Sequence, residues 1–275
     1  MTPGQGKNLS NRSTCDPAPS NMEGHGPDFI LTTRGLEKSF NGFKAVSEIS
    51  LNVRRGSIHA LIGPNGAGKT TCFNLLTKFL LPSAGVIHFN GKDITKLAPA
   101  AIAQLGMVRS FQISAVFGHM TALENVRVAL QRKRKTSMDF WRSRAALSAF
   151  DERSMELLTS VGLHDFAHIQ AMNLSYGRKR ALELATTLAL EPELMLLDEP
   201  TAGMTAADVD LVTDLIRRVA VNRTVLMVEH NLKVVSSLSD QISILARGQI
   251  LAEGSYEVVS KDPRVVEAYI GVGHA

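Results

Sequence analysis

Apolar and polar residues begin to alternate at Phe29 with the period of two that is typical of strands. Turns that contain glycine or proline bound these segments, so we expect the folded part of the chain to begin with β-structure. The predicted strands cover residues 46–53, 57–62, about 85–90 and about 107–111.

Helical periodicity then replaces the alternation of strands. Thr121 and Glu124 stand at the spacing of a capping box, which marks the start of a helix. Further along, Phe150, Leu157 and Val161 recur on one helical face. This stretch therefore predicts a helical lobe inserted between two regions of strands.

The last third of the chain alternates strands with helices, an order that is typical of an α/β domain with a parallel sheet. On the first of these helices, Leu211, Leu215 and Val219 recur at helical spacing, and we expect them to face the core. The predicted elements are a strand at 194–197, a helix at 206–219, a strand at 224–228, a helix at 231–238 and strands within about 241–252.

The beginning of the chain has a different composition. Fourteen of the first 28 residues are Gly, Pro, Ser or Asn, and few of the others could enter a core. We therefore expect a disordered tail over residues 1–28 and one folded domain over residues 29–272.

Composition and charge exclude several classes of protein. Hydrophobic residues make up 44% and charged residues 20% of the 275 residues, as in soluble globular domains rather than fibrous or wholly disordered chains. Thirty basic residues against 26 acidic ones leave a net charge of +4, which is too small and too dispersed for a dedicated nucleic-acid binder. The two cysteines, Cys15 and Cys72, have no paired spacing, which excludes a disulfide scaffold and fits a reducing compartment.

Hydropathy gives no membrane-spanning run, and the N-terminus lacks the layout of a signal peptide. We therefore expect a cytoplasmic chain that reaches a membrane only through its partners.

Residues 63–70 read Gly-Pro-Asn-Gly-Ala-Gly-Lys-Thr and fit the phosphate-loop pattern at every fixed position. The motif follows a predicted strand and precedes a helical run, which is the context that it requires. Backbone N–H groups of such a loop surround phosphate oxygens, Lys69 reaches the β- and γ-phosphates, and the Thr70 hydroxyl binds Mg²⁺. The sequence predicts a nucleotide site formed by Gly63, Pro64, Asn65, Gly66, Ala67, Gly68, Lys69, Thr70 and Thr71.

Two adjacent carboxylates, Asp198 and Glu199, follow four apolar residues and precede Pro200. Acids at the carboxyl edge of a parallel strand face the ligand crevice of an α/β fold. Asp198 can therefore hold the magnesium ion, and Glu199 can reach an attacking water as a general base. Considered alone, the motif could also be an acidic turn after a strand with no role in binding or catalysis.

A third motif, Leu-Ser-Tyr-Gly at 174–177, precedes a helix with an apolar stripe, so that Ser175 and Gly177 lie at a helix N-terminus able to bind an anion. Four features follow one another along the chain: the phosphate loop, this motif, the strand with two carboxylates and a histidine. In this order the chain resembles the nucleotide-binding subunit of ATP-binding cassette (ABC) proteins, from about residue 30 to 272.

This resemblance implies an α/β fold of the P-loop NTPase type, with a parallel core sheet, an antiparallel β subdomain and a helical lobe at about 113–190. It implies ATP and Mg²⁺ as cofactors. By position, Gln112 resembles the Q-loop glutamine, which serves the metal and catalysis, and His230 resembles the catalytic switch histidine. Phe40 resembles the aromatic residue that stacks on adenine, although Phe43 is close enough to compete for this role.

Three residues depart from the usual pattern of the family. Tyr176 stands where the signature motif has its first glycine, and Arg178 stands where it has glutamine. Thr205 stands where the D-loop has aspartate, so the sequence does not establish the usual D-loop contact across a dimer interface.

The Tyr in the signature motif, the Thr-Ala-Gly-Met run at 201–204, the lobe and the C-terminal stretch from Gly248 are similar to the ATPases of branched-chain amino acid importers. Related importers of amides, urea or aromatic acids share much of this pattern. The resemblance implies a peripheral protein at the cytoplasmic face of the inner membrane, with no nucleic-acid partner. Its implied partners are membrane permease subunits, a second ATPase subunit that is identical or paralogous, and indirectly a solute-binding protein.

Two other functions remain as alternatives. A basic run at 132–135 near Trp141 fits a soluble ABC ATPase that acts on nucleic acid or ribosomes, although such proteins usually carry two cassettes and this chain has one. A phosphate-loop kinase would need an acceptor pocket in place of the signature motif. In the importer, we expect Gln112 and the lobe from Ile113 to about 170 to contact the permease.

Overall fold

A computed structural model describes residues 28–110, 116–131 and 150–270 of the chain. Within these residues, a six-stranded sheet forms the centre of the molecule, and all of its strands are parallel except β11 at one edge. In spatial order they are β11 (Gln249–Gly254), β10 (Gln241–Ala246), β4 (Ile58–Ile62), β9 (Thr224–Val228), β8 (Leu194–Asp198) and β7 (Met107–Ser110).

A second, antiparallel sheet packs beside the first. The segment predicted as one strand over 46–53 is two strands here, and they pair with different parts of β1: Ile49 faces Leu36, whereas Val53 faces Leu31. The strands are β1 (Phe29–Phe40), β2 (Phe43–Ile49), β3 (Asn52–Arg54), β5 (Ala84–Phe89) and β6 (Lys92–Asp93).

Helices follow most strands of the parallel sheet, as its crossover connections require. They are α1 (Lys69–Leu76), α2 (Pro99–Gln104), α3 (Ala122–Gln131), α4 (Asp151–Ser160), α5 (Tyr176–Leu188), α6 (Ala206–Val219), α7 (Leu232–Leu238), α8 (Tyr256–Val259) and α9 (Pro263–Ile270), with 3₁₀ turns at His164–Phe166 and Ala171–Asn173.

The parallel sheet separates two hydrophobic cores. Ile58, Ala60 and Ile62 of β4 pack on the side of helices α3–α7, whereas Leu61 faces the antiparallel sheet. Because β4, β8 and β9 are covered on both sides, all their residues are buried. The loops after these strands are therefore held on a rigid base.

The predicted fold class is confirmed: a parallel core sheet, an antiparallel subdomain and a group of helices are all present. The capping box is also confirmed, since Glu124 N–H donates to Thr121 Oγ1 over 3.2 Å and Thr121 N–H donates to Glu124 Oε2 over 2.8 Å. Most of the predicted tail and part of the lobe fall outside the described residues, so their predicted bounds stay predictions.

One predicted core position was wrong. Leu211 is 49% exposed, because the buried face of α6 follows Val209, Val212, Ile216 and Val219. Successive residues of a helix are rotated by about 100°, so Leu211 is turned away from the buried Val212 and faces the solvent. In the described part of the chain, no helix has both the length and the apolar composition that crossing a membrane requires.

Candidate functional site

The phosphate loop connects the buried end of β4 to the first residue of α1 and depends on glycine at two close backbone approaches. At Gly63 (φ 153°), a Cβ atom would lie 2.1 Å from the carbonyl oxygen of Leu245. At Gly68 (φ 98°), it would lie 2.5 Å from the carbonyl oxygen of Ala45. Both φ values are in the range that favours glycine, so neither position accepts another residue without moving the backbone.

Lys69 extends back into this loop. Its Nζ donates to the carbonyl oxygens of Gly63 and Pro64 over 2.7 and 2.9 Å, and the residue is 8% exposed. Burial lowers the pKa of the Lys69 ammonium, and the carboxylate of Glu199 partly opposes that change. A cation is thus held inside the loop and within the field of Glu199.

The other predicted loop residues differ in their exposure to solvent. Asn65, Gly66 and Thr70 are exposed, whereas Ala67 is buried and Thr71 is half-buried. The loop therefore presents an open, polar surface above the buried lysine.

Asp198 and Glu199 lie at the carboxyl end of β8. Asp198 is buried, and Glu199 N–H donates to the carbonyl oxygen of Val228 over 2.9 Å. Glu199 has a φ of 45°, in the left-handed region that residues other than glycine rarely adopt. Such strain persists where the surrounding structure imposes it and is concentrated at functional sites.

His230 follows the neighbouring strand β9 and meets Glu199. Its Nδ1 is 4.0 Å from Glu199 Oε1, and its side chain is 59% exposed. The structure therefore brings together the predicted general base and the predicted switch histidine. Gln112, the third predicted catalytic residue and a predicted metal ligand, lies outside the described residues.

Sequence reasoning did not single out Arg109, which forms an ion pair with the carboxylate of Asp198. The guanidinium also donates to Asn74 Oδ1 over 2.7 Å and lies 5.8 and 5.6 Å from the ring centres of Phe73 and Phe79. The sequence gives little indication of this ion pair, because the two residues meet only if β7 and β8 are neighbours in the sheet.

The signature motif opens helix α5. Ser175 is the N-cap residue and its side chain makes no capping hydrogen bond, so the described structure leaves the helix N-terminus uncapped by that hydroxyl. A Cβ at Gly177 would lie 2.7 Å from Asp208 Oδ1 of α6, so a larger residue there would require this carboxylate to move. The anion-binding role of this helix N-terminus stays a prediction.

Arg180, on the same helix, was also not predicted from the sequence. It is buried, pairs with Glu183 at 2.5 Å, and donates to the carbonyl oxygens of Asp198, Glu199 and Pro200 over 3.2 to 3.3 Å. The signature helix is therefore tied to the backbone of the two adjacent carboxylates.

The three departures from the family pattern have structural partners. The Tyr176 hydroxyl donates to the Ala202 carbonyl oxygen over 3.4 Å, and the Arg178 guanidinium lies 3.8 Å from the ring centre of Phe166. Thr205 is the N-cap of α6, where its Oγ1 accepts from the N–H of Asp208 over 3.3 Å. A threonine thus performs the capping that an aspartate could also provide.

Phe40 lies at the tip of the β1–β2 hairpin, where it pairs with Phe43. Phe40 is 43% and Phe43 71% exposed, and Lys38 Nζ lies 5.2 Å from the ring centre of Phe40. Both rings are open to a ligand, so the competition between them remains and the adenine contact of Phe40 stays a prediction.

A groove of about 500 Å³ lies between α2, β7, α3 and α5. Its apolar wall is exposed in part, since Phe79 is 54% and Val128 37% exposed. Its lining also contains Arg109, which pairs with Asp198. Its lining includes Phe79, Met107, Arg109, Val128, Glu183 and Leu190.

Two family models match the chain. The one described as ABC transporter matches residues 46–202, and the one described as branched-chain amino acid ATP-binding cassette transporter matches residues 249–275. The chain is 38% identical over 249 residues to the high-affinity branched-chain amino acid transport ATP-binding protein LivG of Salmonella typhimurium, covering 88% of this chain and 98% of LivG. It is 39% identical over 251 residues to the corresponding protein BraF of Pseudomonas aeruginosa, covering 88% of this chain and 98% of BraF.

Solved structures of similar fold include the ADP conformation of MJ1267, an ATP-binding cassette of an ABC transporter. It aligns with a TM-score of 0.76 and 30% identity, covering 88% of this chain and 99% of that one. A nucleotide-free ATP-binding cassette from an ABC transporter aligns with a TM-score of 0.75 and 31% identity, with coverage of 88% and 99%.

Proposed function

The chain belongs to the ATP-binding cassette (ABC) transporter family, and on this basis we propose that it binds and hydrolyses ATP to energise an importer of branched-chain amino acids. The observation that carries the proposal is that the phosphate loop, Glu199 and His230 meet at the carboxyl edge of the parallel sheet. This edge is where α/β proteins bind their ligands. The solute class is that of the relatives LivG and BraF.

ATP binding is the first step. The N–H groups of the phosphate loop and the N-terminus of α1 favour the negative triphosphate. Lys69 exchanges its contacts with the loop carbonyls for β- and γ-phosphate oxygens. The aromatic rings at the β1–β2 hairpin supply a surface on which adenine stacks, with Phe40 as the predicted contact.

Thr70 and Asp198 are the residues that would hold Mg²⁺. Thr70 stands after β4 and Asp198 is the last residue of β8, with only β9 between these strands. Their hydroxyl and carboxylate oxygens are the hard donors that Mg²⁺ prefers. Bound there, Mg²⁺ supplies positive charge to the β- and γ-phosphate oxygens. Gln112 is the third predicted ligand.

Hydrolysis uses Glu199 and His230. The carboxylate of Glu199 takes a proton from the water that attacks the γ-phosphorus, and the bond between this phosphorus and the bridging oxygen breaks to give ADP and phosphate. His230, 4.0 Å from that carboxylate, holds it in position relative to the γ-phosphate.

Membrane permease subunits are the proposed partners, and the groove beside Phe79 and Val128 is the proposed docking surface. It is apolar and partly exposed, and its residue Arg109 contacts Asp198, so a segment bound there would act on the nucleotide site. In such a complex the chain is peripheral at the cytoplasmic face of the inner membrane, beside a second ATPase subunit. The alternative function on nucleic acid depended on the basic run 132–135, which is outside the described residues.

The test is uptake by proteoliposomes that contain this chain, its permease and a solute-binding protein. We expect Mg²⁺-dependent ATP hydrolysis and accumulation of labelled leucine, both lost in Glu199→Gln. Asp214→Asn, which removes an exposed carboxylate paired with Arg217 on the surface of α6, outside the site motifs and the predicted permease contact, is the matched control and should leave both unchanged. Hydrolysis with uptake of urea or phenylalanine but not of leucine would overturn the proposed solute, and a wild-type chain without ATP hydrolysis would overturn the proposed enzyme.

A further inference from the structure

Glu229, between β9 and His230, has its side chain fully buried in the described structure. Its Oε1 accepts hydrogen bonds from the N–H and the hydroxyl of Thr201 over 3.0 and 2.5 Å. Its Oε2 accepts from the N–H groups of His230 and Asn231 over 3.0 and 3.1 Å. One carboxylate therefore joins the turn after β8 to the loop after β9.

This set of partners suits a carboxylate rather than an amide. A buried charge without hydrogen bonds is strongly destabilising, and four donors offset that cost. All four partners are donors, and a carboxylate has two oxygens that only accept. An amide of the same shape would direct its own N–H groups against either Thr201 or the loop of His230, so the position discriminates between Glu and Gln.

The two segments that Glu229 joins carry the proposed base and its histidine. Thr201 is two residues beyond Glu199, whose backbone is held in the left-handed conformation, and His230 is the next residue after Glu229. Arg180 donates to the carbonyl oxygens of Asp198, Glu199 and Pro200 in the same turn. The turn is therefore held by a buried guanidinium on its carbonyl side and by a buried carboxylate on its N–H side.

We propose that Glu229 is a positioning residue for ATP hydrolysis, which fixes the imidazole of His230 relative to the carboxylate of Glu199. The role rests on the proposed function, because it acts through those two residues. The hydrogen bonds of Glu229 in the described structure go to Thr201, His230 and Asn231 and not to the phosphate loop, so its substitution leaves the binding of ATP intact and impairs the step after binding.

The experiment compares Glu229→Gln with the wild type in a purified-protein ATPase assay. We expect kcat to fall by about 10- to 100-fold, the range for a misplaced catalytic group, while KM for ATP changes by less than about twofold. The matched control is Glu253→Gln, which changes another hydrogen-bonded carboxylate, one that is only partly buried and accepts from Ser243 at the far edge of the same sheet. We expect that variant to retain its kcat.

A double variant tests the route of the effect. In a His230→Ala background there is no imidazole to position, so Glu229→Gln should lower kcat by less than about twofold more. A second pair of variants leaves Glu229 unchanged: Thr201→Val removes one of its donors and should lower kcat severalfold, whereas Thr201→Ser keeps both donors and should not.

The outcomes are distinct. A folded Glu229→Gln protein with wild-type kcat would overturn the role, as would an equal loss in the His230→Ala background. Parallel losses of kcat, ATP affinity and melting temperature in Glu229→Gln and Glu253→Gln would show a purely structural effect and also overturn it. If Glu229→Gln does not fold, the Thr201 variants decide: equal kcat values for Thr201→Val and Thr201→Ser would overturn the role. Absence of hydrolysis by the wild type would instead overturn the proposed function, and with it this role.

Discussion

Nδ1 of His230 lies 4.0 Å from Oε1 of Glu199 at the carboxyl edge of the parallel sheet. The proximity follows from the register of β8 and β9, in which Asp198 is paired with Val228. The residues that follow Asp198 and Val228 therefore lie side by side at the end of the sheet. A carboxylate beside an imidazole, next to a buried cation in a phosphate loop, has the components of a general-base site.

Glu199→Gln tests the base directly. The substitution keeps the size of the side chain and its capacity for hydrogen bonds but removes its ability to take a proton. We expect ATP to bind as before while turnover falls by roughly 10²- to 10⁴-fold. Equilibrium binding and steady-state hydrolysis, measured on the same preparation, check both parts, and turnover equal to that of the wild type would contradict the assignment.

Lys69→Ala should fail at the earlier step. It removes the cation that faces the β- and γ-phosphates, so we expect the Kd for ATP to rise by about tenfold or more. Titration calorimetry measures this change, and a thermal melt checks that the loop variant is folded. An unchanged Kd would count against the phosphate-loop interpretation.

Arg109→Gln tests the ion pair between Arg109 and Asp198, the proposed metal ligand. Both side chains are largely buried, at 12% and 5% exposure, so the substitution leaves the carboxylate of Asp198 without its cation. Loss of one partner from a buried pair destabilises proteins by about 3–5 kcal/mol. We expect urea denaturation to show a loss of this size, and the double variant with Asp198→Asn to recover part of it. Simple additivity of the two single losses would mean that the pair contributes nothing.

Much of the architecture could be predicted from local pattern. The helix at 206–219 and the strand at 224–228 have the predicted bounds, since strong periodicity and short turns mark both elements. The family resemblance inferred from four motifs is confirmed by relatives that cover 88% of the chain. These features depend on neighbours in sequence, which a single sequence contains.

The parts that were missed depend on neighbours in space. Arg109 pairs with Asp198 only because β7 lies beside β8, and Glu229 meets Thr201 only because β8 lies beside β9. The division of residues 46–53 into two strands likewise requires β1 as a partner for both. Sheet order was not fixed by periodicity, so buried charges that join strand ends could not be assigned.

His59 should make folding sensitive to mild acid. Burial lowers the pKa of its imidazole from 6.5 to about 4, and its Nε2 lies 2.7 Å from Ser243 Oγ. Below pH 6.5 the unfolded chain takes up a proton at this residue that the folded chain does not, so stability is lost as the pH falls towards 4. Between pH 7 and pH 5, this loss is about 2 kcal/mol.

The comparison is between the wild type and His59→Gln, with the free energy of unfolding measured in urea at both pH values. We expect the drop between pH 7 and pH 5 to be smaller in the variant. Burial raises the pKa of Glu253, which opposes the effect of His59, but both chains keep this residue. Equal drops in the two chains would show that His59 does not carry the dependence.

The last prediction is that two chains share each ATP site. A triphosphate bound in the phosphate loop would meet Lys69, Asp198 and Glu199 on one side, and its γ-phosphate would need donors on the other side. The N-terminus of α5 at Ser175 offers such donors, and in the resemblance to ABC proteins it is the signature motif of the opposite subunit that supplies them. The active unit is then a head-to-tail dimer.

Mixing Lys69→Ala with Ser175→Arg tests this arrangement, because a heterodimer of the two inactive variants contains one doubly damaged site and one intact composite site. We expect part of the ATPase activity to return on mixing, whereas each variant alone stays inactive. If heterodimers form without activity, either the two sites are strictly coupled or each chain holds a complete site. Light scattering of Glu199→Gln separates these outcomes: a shared site requires a dimer that forms only with ATP, whereas a self-contained site leaves a monomer with or without nucleotide.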